Sequence, residues 1–325
     1  MINDCTKGDV ALKRTTMIAM VVGISLGAYA GGASEHVRKA VESRFPGAVI
    51  QETEQEVWQG QRVTEVELTD RDGKNYEVLL SSTGEILHAE EEKGLPWIGG
   101  ELSLGFAMRG EQEIYKGVGT EFEPSPFFMY ENGRLEILAY DAVDATFRLL
   151  ANDWLSLGVS GSLLLEEGYE PDDSDYFEGM DEIGTLYGAG LQLEAVWGDW
   201  EANLEVNQDI SGEHDGQEVE LGLIYATSFA GFELRPELAF TWMSADTVDY
   251  FYGVSEVEAR PDRPAYSPGS SFEIGAEVMV QRDLVAGFSA LGLVGVSTFG
   301  GAIKDSPLVD GSIEIEGTLG VMYSF

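Results

Sequence analysis

From residue 99 to the last residue, apolar and polar side chains alternate along a series of runs, each of about ten residues. In the run from Phe232 to Met243, one face carries Phe232, Leu234, Pro236, Leu238, Phe240 and Trp242. The other face carries Glu233, Arg235, Glu237, Ala239 and Thr241. Successive side chains of a β-strand point to opposite faces, so this alternation predicts strands with one apolar and one polar face. Their length is typical of tilted strands that cross an outer membrane, because strands of soluble proteins are usually nearer five or six residues.

The alternation predicts an all-β fold for residues 99–325, an antiparallel transmembrane β-barrel of about twelve strands. The candidate strands lie near 101–109, 122–131, 134–141, 144–151, 154–165, 185–197, 199–209, 217–229, 231–243, 272–282, 285–299 and 313–325. Bacterial barrels made from one chain have an even number of strands, as this set does. The three candidates between 122 and 151 are short and include Pro124 and Pro126, which cannot donate to a sheet. A ten-stranded barrel is therefore the alternative.

The connections between the candidate strands alternate between tight turns and long segments. Tight turns lie at 131–133, 197–199, 230–231 and 282–284, and long connections lie at 166–184, 244–271 and 300–312. Outer-membrane barrels have short periplasmic turns and long external loops, so the long connections are predicted to lie outside the cell. Aromatic residues near strand ends are predicted to form interfacial girdles: Trp154, Trp197, Trp200, Trp242, Tyr250, Phe251 and Tyr252.

The final segment, 317–325, alternates in the same way and ends on an aromatic residue. Leu319, Val321, Tyr323 and Phe325 share its apolar face. A terminal amphipathic strand that ends in Phe resembles the assembly signal of outer-membrane proteins. These four residues are therefore predicted to form that signal, and the predicted partners of the barrel are the barrel-assembly machinery and outer-membrane lipid.

Residues 1–30 have the parts of a secretory signal peptide. A basic flank, an apolar stretch and a small–x–small cleavage pattern follow one another at 7–14, 15–26 and 28–30. The apolar stretch is shorter than the roughly 20 residues of a transmembrane helix. The predicted location is the cell outer membrane. The only cysteine, Cys5, precedes the predicted cleavage site, so no disulfide is expected in the mature chain.

Residues 31–93 are predicted to form a small α+β domain in the periplasm. Val37, Ala40, Val41 and Phe45 share one face of a predicted helix. Strand-like runs follow at 49–58, 62–69, 75–80 and 85–88. The segments VRKAVESRFPGAVI and YEVLLSSTGEIL resemble PepSY-like periplasmic domains, which are generally binding or inhibitory modules. A generic small α+β domain is the alternative.

Three segments of the barrel region resemble the MipA/OmpV family of outer-membrane proteins. They read EPSPFFMYENGRLEI, YFYGVSEVEARPDRPAYSP and IKDSPLVDGSIEIEGTLGVMYSF, and they occur in the family's order. The matching motif residues are Tyr252, Gly253, Val254 and Ser255 in one segment, and Asp305, Ser306 and Pro307 in another. The resemblance implies a barrel that serves as a scaffold, a transporter or an adhesin. One family member bridges a lytic murein transglycosylase to a penicillin-binding synthase, which implies peptidoglycan-modifying enzymes as partners.

The chain's formal net charge of −39 argues against nucleic acid as a partner, because phosphate binding needs clustered Lys and Arg. The three histidines, His36, His88 and His214, are not spaced as zinc ligands. The acidic turn around His214 is interpreted as a hairpin loop rather than a calcium site. The sequence contains no nucleophile elbow, P-loop or dinucleotide fingerprint. We therefore predict a non-enzymatic protein with no cofactor and no metal site.

Charged residues recur on the polar face of the predicted strands. The candidate lumen-facing residues are Glu201, Glu205, Glu218, Glu220, Glu233, Arg235, Glu237, Glu273, Glu277, Glu314 and Glu316. A pore lined in this way would favour cations. A narrow cation-preferring pore for small solutes is one interpretation. A small filled barrel, whose carboxylates face water or pair with basic groups, is the other, and a secreted soluble β-protein is a third.

Overall fold

A computed structural model describes residues 35–58, 61–71, 74–91, 100–140, 142–152, 154–164, 168–171, 173–285 and 287–325 of the 325-residue chain. The predicted signal peptide at 1–30, which includes Cys5, lies outside the described residues and stays a prediction. Of the helices in the described part of the chain, none has both the length and the apolar character needed to cross a membrane.

The first described segment is a helix followed by a four-stranded antiparallel meander. Its elements, in sheet order after the helix, are α1 (Glu35–Arg44), β1 (Val49–Trp58), β2 (Gln61–Thr69), β3 (Asn75–Ser81) and β4 (Ile86–Glu91). Val37 and Val41 lie one turn apart on α1 and belong to the same buried cluster as Val66 and Val78 of the sheet. The helix and the first three strands lie where the sequence predicts them, and the fourth extends to Glu91 instead of ending at residue 88. The relationship to PepSY-like domains stays a prediction.

The remaining strands form one antiparallel sheet. They are β5 (Glu101–Gln112), β6 (Thr120–Glu131), β7 (Leu135–Ala139), β8 (Val143–Asn152), β9 (Leu155–Leu164), β10 (Leu186–Trp197), β11 (Trp200–Asp209), β12 (Gln217–Tyr225), β13 (Thr227–Phe229), β14 (Phe232–Met243), β15 (Ser271–Asp283), β16 (Phe288–Phe299) and β17 (Ile313–Ser324). Both β12 and β13 pair with β14, so they are two parts of one strand. The sheet therefore has the twelve strands predicted, and the ten-stranded alternative is wrong. Two helices lie in long connections: α2 (Ala245–Tyr252) and α3 (Gly301–Lys304).

The sheet closes into a barrel because its last strand pairs with its first. β17 and β5 are antiparallel partners from Ile315 opposite Gln112 to Ser324 opposite Ser103. The backbone N–H of Phe325 then donates to the C=O of Leu102 at 2.9 Å. A closed barrel leaves no sheet edge with unpaired backbone groups, which is the condition for crossing hydrocarbon.

Burial on the two faces of the barrel is the inverse of that in a water-soluble β-protein. In β17, Leu319 is 73% exposed, whereas Thr318, which points to the opposite face, is 8% exposed. In β14, Leu238 is 60% exposed and Glu237 is 5% exposed. Apolar side chains outside and polar side chains inside suit a barrel surrounded by lipid. This pattern argues against the secreted soluble protein.

Two prolines lie inside β6, in the region where the sequence predicts the weakest strands. Pro124 and Pro126 are opposite Met108 and Phe106 of β5. On the other side of β6, pairing with β7 covers only Phe128 to Glu131. Both prolines therefore lie beyond the end of the β6–β7 pairing, where a missing N–H removes no bond to that neighbour. The short β7 explains how β6 tolerates them.

The connections give the barrel two different ends, which we call the short-turn end and the long-loop end. At the short-turn end, only Gly198 and Asp199 join β10 to β11, and three residues join β6 to β7. At the long-loop end, long segments join β9 to β10, β14 to β15 and β16 to β17. The order of short and long connections agrees with the sequence analysis.

A glycine on the inner face lets a long side chain cross a neighbouring strand. Gly190 of β10 lies opposite Ser160 of β9. The Glu205 carboxylate of β11 accepts a hydrogen bond from the Ser160 hydroxyl at 2.7 Å, which crosses the intervening strand. A β-carbon at Gly190 would lie 2.6 Å from Ser160 Oγ and 2.7 Å from the C=O of Val206. Because Gly190 has no side chain, the hydrogen bond between Ser160 and Glu205 can pass over β10 at this position.

We expect Gly190→Ala to lower the free energy of unfolding of the barrel by about 1–3 kcal/mol, because the new methyl group would meet backbone that cannot move freely. Urea unfolding in detergent, followed by tryptophan fluorescence, measures the change. Gly269→Ala is the matched control, since a β-carbon there meets no atom within 4 Å. Equal stability of the Gly190 and Gly269 variants would show that the close approach is unimportant.

Candidate functional site

The strands carry the predicted lumen residues at alternate positions, and most of these side chains are withdrawn from water. Glu201, Glu220, Glu237, Glu273 and Glu277 are buried. Glu205, Glu218, Arg235, Glu314 and Glu316 are half-buried. Glu233 is different, because it is exposed near the short-turn end of β14. The inner wall therefore concentrates carboxylates whose side chains have little exposed surface.

Three arginines neutralise part of this charge. Arg148 of β8 bonds to both Glu131 and Glu136, each at 2.6 Å, and this group lies near the short-turn end. Arg235 bonds to Glu201 at 2.7 Å across the intervening strand β12. The sequence analysis named Arg235 as a lumen residue but missed Arg148. The alternation in β8 could have identified Arg148 as a lumen residue, because it places Arg148 on the same face as Asp144 and Thr146.

Arg109 of β5 supplies the third ion pair, with Glu111 at 2.6 Å, and both side chains are buried. These two residues are two apart in one strand, so they point to the same face. The inner face is not polar throughout. Phe127, Met129 and Met322 form a small buried apolar cluster, packed against partly buried neighbours on other strands. The barrel is thus partly filled by its own side chains.

Toward the long-loop end, carboxylates lie together without an arginine. Glu205 of β11 is directly opposite Glu220 of β12. Like charges in directly opposite positions of two strands repel each other and are destabilising. The Ser160 hydroxyl donates to Glu205. Glu220, in contrast, forms no hydrogen bond or ion pair with any residue that the structure describes.

The long connections pack into one structure that covers the long-loop end. We call it the loop cap and define it as the segments 113–119, 168–171, 173–185, 244–270 and 300–312. Its buried core contains Tyr115, Phe177, Phe251, Tyr252 and Leu308. The Tyr115 and Tyr252 rings are stacked with centroids 5.6 Å apart. Four of the cap's segments therefore contribute to one core, and residues that look like open loops in sequence are folded.

The apolar core of the loop cap extends from wall to wall of the barrel. It includes Leu186, Met243 and Phe299, at the ends of β10, β14 and β16. It also includes Tyr115, which follows β5. In the order of strands around the barrel, β5 and β10 are almost opposite each other. The cluster therefore extends across the opening at the long-loop end.

The predicted aromatic girdle is only partly correct. Trp154, Trp197, Trp200 and Trp242 are exposed on the outside, as residues at a membrane interface would be. Phe251 and Tyr252 are instead buried in the loop cap, and Tyr250 packs against its core. The prediction failed for these three because α2 was not recognised.

The α2 sequence contained two signals that could have revealed the helix. Val248, Phe251 and Tyr252 have the spacing of one helical face. The Ser244 side chain caps the helix by accepting the N–H of Thr247 at 3.3 Å.

Tyr176 joins the segments of the loop cap at their centre. Lys116 Nζ lies 4.5 Å from the centroid of its ring, and the guanidinium carbon of Arg260 lies 5.2 Å from it. Its hydroxyl lies 2.8 Å from the carbonyl oxygens of Asp262 and Pro307, which belong to two different segments. The side chain, which belongs to the β9–β10 connection, thus contacts the other three connections of the cap.

Arg263 is a second residue that connects the segments 173–185 and 244–270 of the loop cap. It is 1% exposed, and its guanidinium donates to the backbone carbonyl oxygens of Tyr176, Glu178 at 3.4 Å and Glu258 at 2.9 Å. Burial alone would raise the pKa of Glu258, but the N–H groups of Asp181 and Ser255 donate to its carboxylate and hold that pKa below its usual value. The cap is therefore fixed by charged hydrogen bonds as well as by its apolar core.

Two of the three family-like segments meet inside the loop cap. The Ser306 hydroxyl donates to the C=O of Tyr252 at 2.7 Å, and both residues are buried. Between Tyr252 and Val254, a β-carbon at Gly253 would lie 2.2 Å from the C=O of Asp249, so this position needs glycine. The third segment forms β6, its tight turn and β7. Tyr252, Gly253 and Ser306 therefore help to hold the segments of the loop cap together.

The turn around His214 is held by a carboxylate of the strand before it. Asp209 accepts the N–H groups of Ser211, His214 and Asp215 at 2.9 to 3.2 Å. Burial lowers the pKa of His214, whose ring centroid lies 5.1 Å from that of Tyr250. Among the described residues, no three acidic, histidine or cysteine side chains are grouped as a ready-made metal site. These contacts explain why the sequence forms a hairpin loop here.

The comparison with known families matches residues 104–325 to the family described as MltA-interacting protein MipA. The chain belongs to this family. The MltA-interacting protein of Escherichia coli (strain K12) is 24% identical over 251 residues, which are 76% of this chain and 96% of that protein. Outer membrane protein OmpV of Vibrio cholerae is 23% identical over 142 residues, 44% of this chain and 55% of that one. The predicted MipA/OmpV resemblance and the predicted outer-membrane location are thereby confirmed.

Among related proteins, outer membrane protein Omp26La of Vibrio anguillarum is 23% identical over 179 residues, 54% of this chain and 68% of that protein. Among solved structures, the NanC porin aligns with a TM-score of 0.40 and 10% identity, over 67% of this chain and 98% of its own. The MipA-family relatives are outer-membrane proteins, and this chain is an outer-membrane barrel of their family.

Proposed function

We propose that this MipA-family barrel is a non-enzymatic scaffold that holds peptidoglycan-modifying enzymes at the outer membrane. The observation that carries the proposal is the loop cap, whose apolar core spans the barrel from the end of β10 to the segment after β5. A barrel closed in this way is better suited to anchoring a surface than to passing solutes. One relative that matches along 96% of its own length is named for interacting with MltA, which supports the choice of partner.

The scaffold's docking surface is proposed to lie on the side of the short-turn end, facing the periplasm. β5 begins at Glu101, which is opposite Glu131 beside the tight turn of β6 and β7. The chain therefore enters the barrel at the short-turn end, which is the periplasmic end in outer-membrane barrels. On this proposal, residues 35–91 form the periplasmic PepSY-like domain. Leu319, Val321 and Phe325 are exposed on the outer face, and the half-buried Tyr323 lies in the same apolar row, which suits recognition by the barrel-assembly machinery.

A photo-crosslinking amino acid placed at Lys39, an exposed position of α1, tests the scaffold. We expect crosslinks in intact cells to peptidoglycan-modifying enzymes, identified by mass spectrometry. The matched control is the same amino acid at Val257, which is 96% exposed in the loop cap. Failure to recover any such enzyme from Lys39, or equal recovery from both positions, would count against the proposal.

The second candidate is a narrow cation-preferring pore. The observation in its favour is the row of inward carboxylates, in which Glu237 lies directly opposite Glu277 and both are buried. Rings of acidic side chains select cations in membrane channels. A current would require the loop cap to open, so a conductance measurement separates this function from the scaffold.

A further inference from the structure

A cavity of about 70 Å³ lies inside the barrel where the wall meets the loop cap. Apolar surface makes up the larger part of its lining and includes Leu164 and Leu186, at the ends of β9 and β10, and Phe251 of α2. The strands add carboxylates, and none of the described residues that line the cavity is a lysine or an arginine. A ligand that suits this cavity therefore combines a positive charge with an apolar part.

Glu220 is the carboxylate of this cavity that lacks a partner. It is 8% exposed and forms no hydrogen bond or ion pair with any described residue. Glu205, directly opposite it in β11, adds a second carboxylate. Asn207 adds a buried Oδ1 atom that accepts no hydrogen bond from the described part of the chain. His214, on the cap side, supplies little positive charge, because burial lowers its pKa. A buried carboxylate in such surroundings is costly unless a positive group compensates its charge.

We propose that this cavity binds a small primary alkylammonium ion, whose N–H groups donate to Glu220, Glu205 and Asn207 and whose carbon atoms contact the apolar wall. A primary ammonium group has three donors and no acceptor, which matches a wall of oxygen acceptors. Its alkyl part gains from contact with the apolar surface, whereas a metal ion does not. A metal ion would also need more ligands, because no three acidic, histidine or cysteine side chains among the described residues are grouped to hold one.

The volume of the cavity limits the size of the ligand. A cavity of about 150 Å³ holds benzene, so a cavity of about 70 Å³ holds roughly three non-hydrogen atoms. Ethylammonium has this size, with one charged group and a short apolar part. A ligand with so few atoms binds weakly even in a well-matched site, and we expect a dissociation constant of about 1 mM.

A bound alkylammonium ion would contact both the barrel wall and the loop cap. Glu205 and Glu220 belong to β11 and β12, and Phe251 belongs to α2 and to the buried core of the cap. The ligand is therefore expected to stabilise the closed form of the cap. This inference concerns the barrel interior and does not depend on any cell-wall partner.

Ethylammonium chloride, titrated into the full chain purified in detergent at physiological salt, tests the site. Saturation-transfer NMR of the ethylammonium methyl group measures the binding. We expect saturable binding that ethanol, a neutral molecule with equally many non-hydrogen atoms, does not displace. Glu220→Gln should weaken the affinity at least tenfold, because it removes the charge that pairs with the ammonium group. The matched control is Glu277→Gln, a buried inner-face glutamate outside the cavity lining, which should bind ethylammonium as the native chain does.

Gly188→Ala provides an independent check that keeps every charge in place. A β-carbon at Gly188 would clash with Ser162 Oγ and lie 2.8 Å from both terminal atoms of the Asn207 side chain. All three residues line the cavity, so the added methyl group should reduce its volume and weaken ethylammonium binding roughly tenfold. Gly269→Ala is its control, because a β-carbon there meets no atom within 4 Å.

Three results would overturn the proposal. The first is a native chain that shows no saturable binding of ethylammonium, or binding that ethanol displaces. The second is a Glu277→Gln variant that loses as much affinity as Glu220→Gln, since the attraction would then come from the overall negative charge. The third is a Gly188→Ala variant that binds ethylammonium as tightly as Gly269→Ala does.

Discussion

Replacing Arg263 by Ala is expected to make the loop cap roughly 100-fold more susceptible to proteinase K. The native guanidinium is 1% exposed and satisfies backbone carbonyl oxygens of Tyr176, Glu178 and Glu258. Hydrogen bonds to a charged group contribute about 1.5–3 kcal/mol each, and alanine removes all three, so that Arg260 alone still donates to the Tyr176 and Glu178 carbonyl oxygens. A loss of about 3 kcal/mol in the free energy of opening makes the open, cleavable form of the cap roughly 100-fold more populated, which is the expected increase in susceptibility.

The measurement is the rate of cleavage in the purified, detergent-folded protein, with the cut sites identified by mass spectrometry. The cuts should lie within 173–185 and 244–270, because these segments meet at Arg263. Arg134→Ala is the control. Arg134 is exposed in the tight turn between β6 and β7, which lies at the opposite end of the barrel from the loop cap. If Arg263→Ala is cleaved no faster than Arg134→Ala, then the arginine does not hold the cap closed.

The second large effect is expected at Arg148. Arg148→Met should lower the free energy of unfolding by about 3–5 kcal/mol, because removing one member of a buried ion pair leaves the others uncompensated. Here two carboxylates, Glu131 and Glu136, lose their 2.6 Å contacts. All three side chains are mostly buried, so water would screen the remaining charges poorly. Urea unfolding in lipid vesicles, followed by tryptophan fluorescence, gives the value.

A triple variant separates charge from packing at this site. Arg148→Met combined with Glu131→Gln and Glu136→Gln removes the charges together, and most of the lost stability should return. A native-like stability for Arg148→Met alone would contradict the expectation. A triple variant as unstable as Arg148→Met would show that the shape of the arginine, and not its charge, matters.

The barrel could be predicted from sequence because its strongest signal is local. Period-two alternation over long runs is repeated strand after strand, as in Phe232–Met243, and each repeat supports the others. The even strand number and the alternating connection lengths follow from the same pattern. Even β6 was located correctly despite Pro124 and Pro126. Why those prolines are tolerated could not be predicted, because the reason is the early end of the β6–β7 pairing.

The loop cap could not be predicted because its contacts join segments that are distant in sequence. Arg263 bonds mainly to backbone carbonyl groups, and such acceptors leave no mark in the amino-acid sequence. Phe251 and Tyr252 were assigned to the membrane interface, since an aromatic near a strand end looks the same in either place. Only the helical spacing after Ser244 distinguishes an aromatic residue of the loop cap from one at the membrane interface, and this spacing covers just eight residues.

The arrangement of the barrel interior could be predicted from the sequence only in part. Alternation predicted which glutamates share the polar face, and all of them except Glu233 are withdrawn from water. It could not predict which ones would meet an arginine, because that depends on register between strands. Arg235 reaches Glu201 across β12, whereas Glu220 in that same strand has no such contact among the described residues.

Planar-bilayer recording of the purified full chain tests most directly whether the loop cap closes this barrel. Heat-modified migration on gels first establishes that the protein is folded. If the apolar core seals the long-loop end, the native chain should give no conductance above background at moderate voltage and physiological salt. A steady cation-selective current from the native chain, reduced by Glu237→Gln, would contradict the closed scaffold and establish the pore.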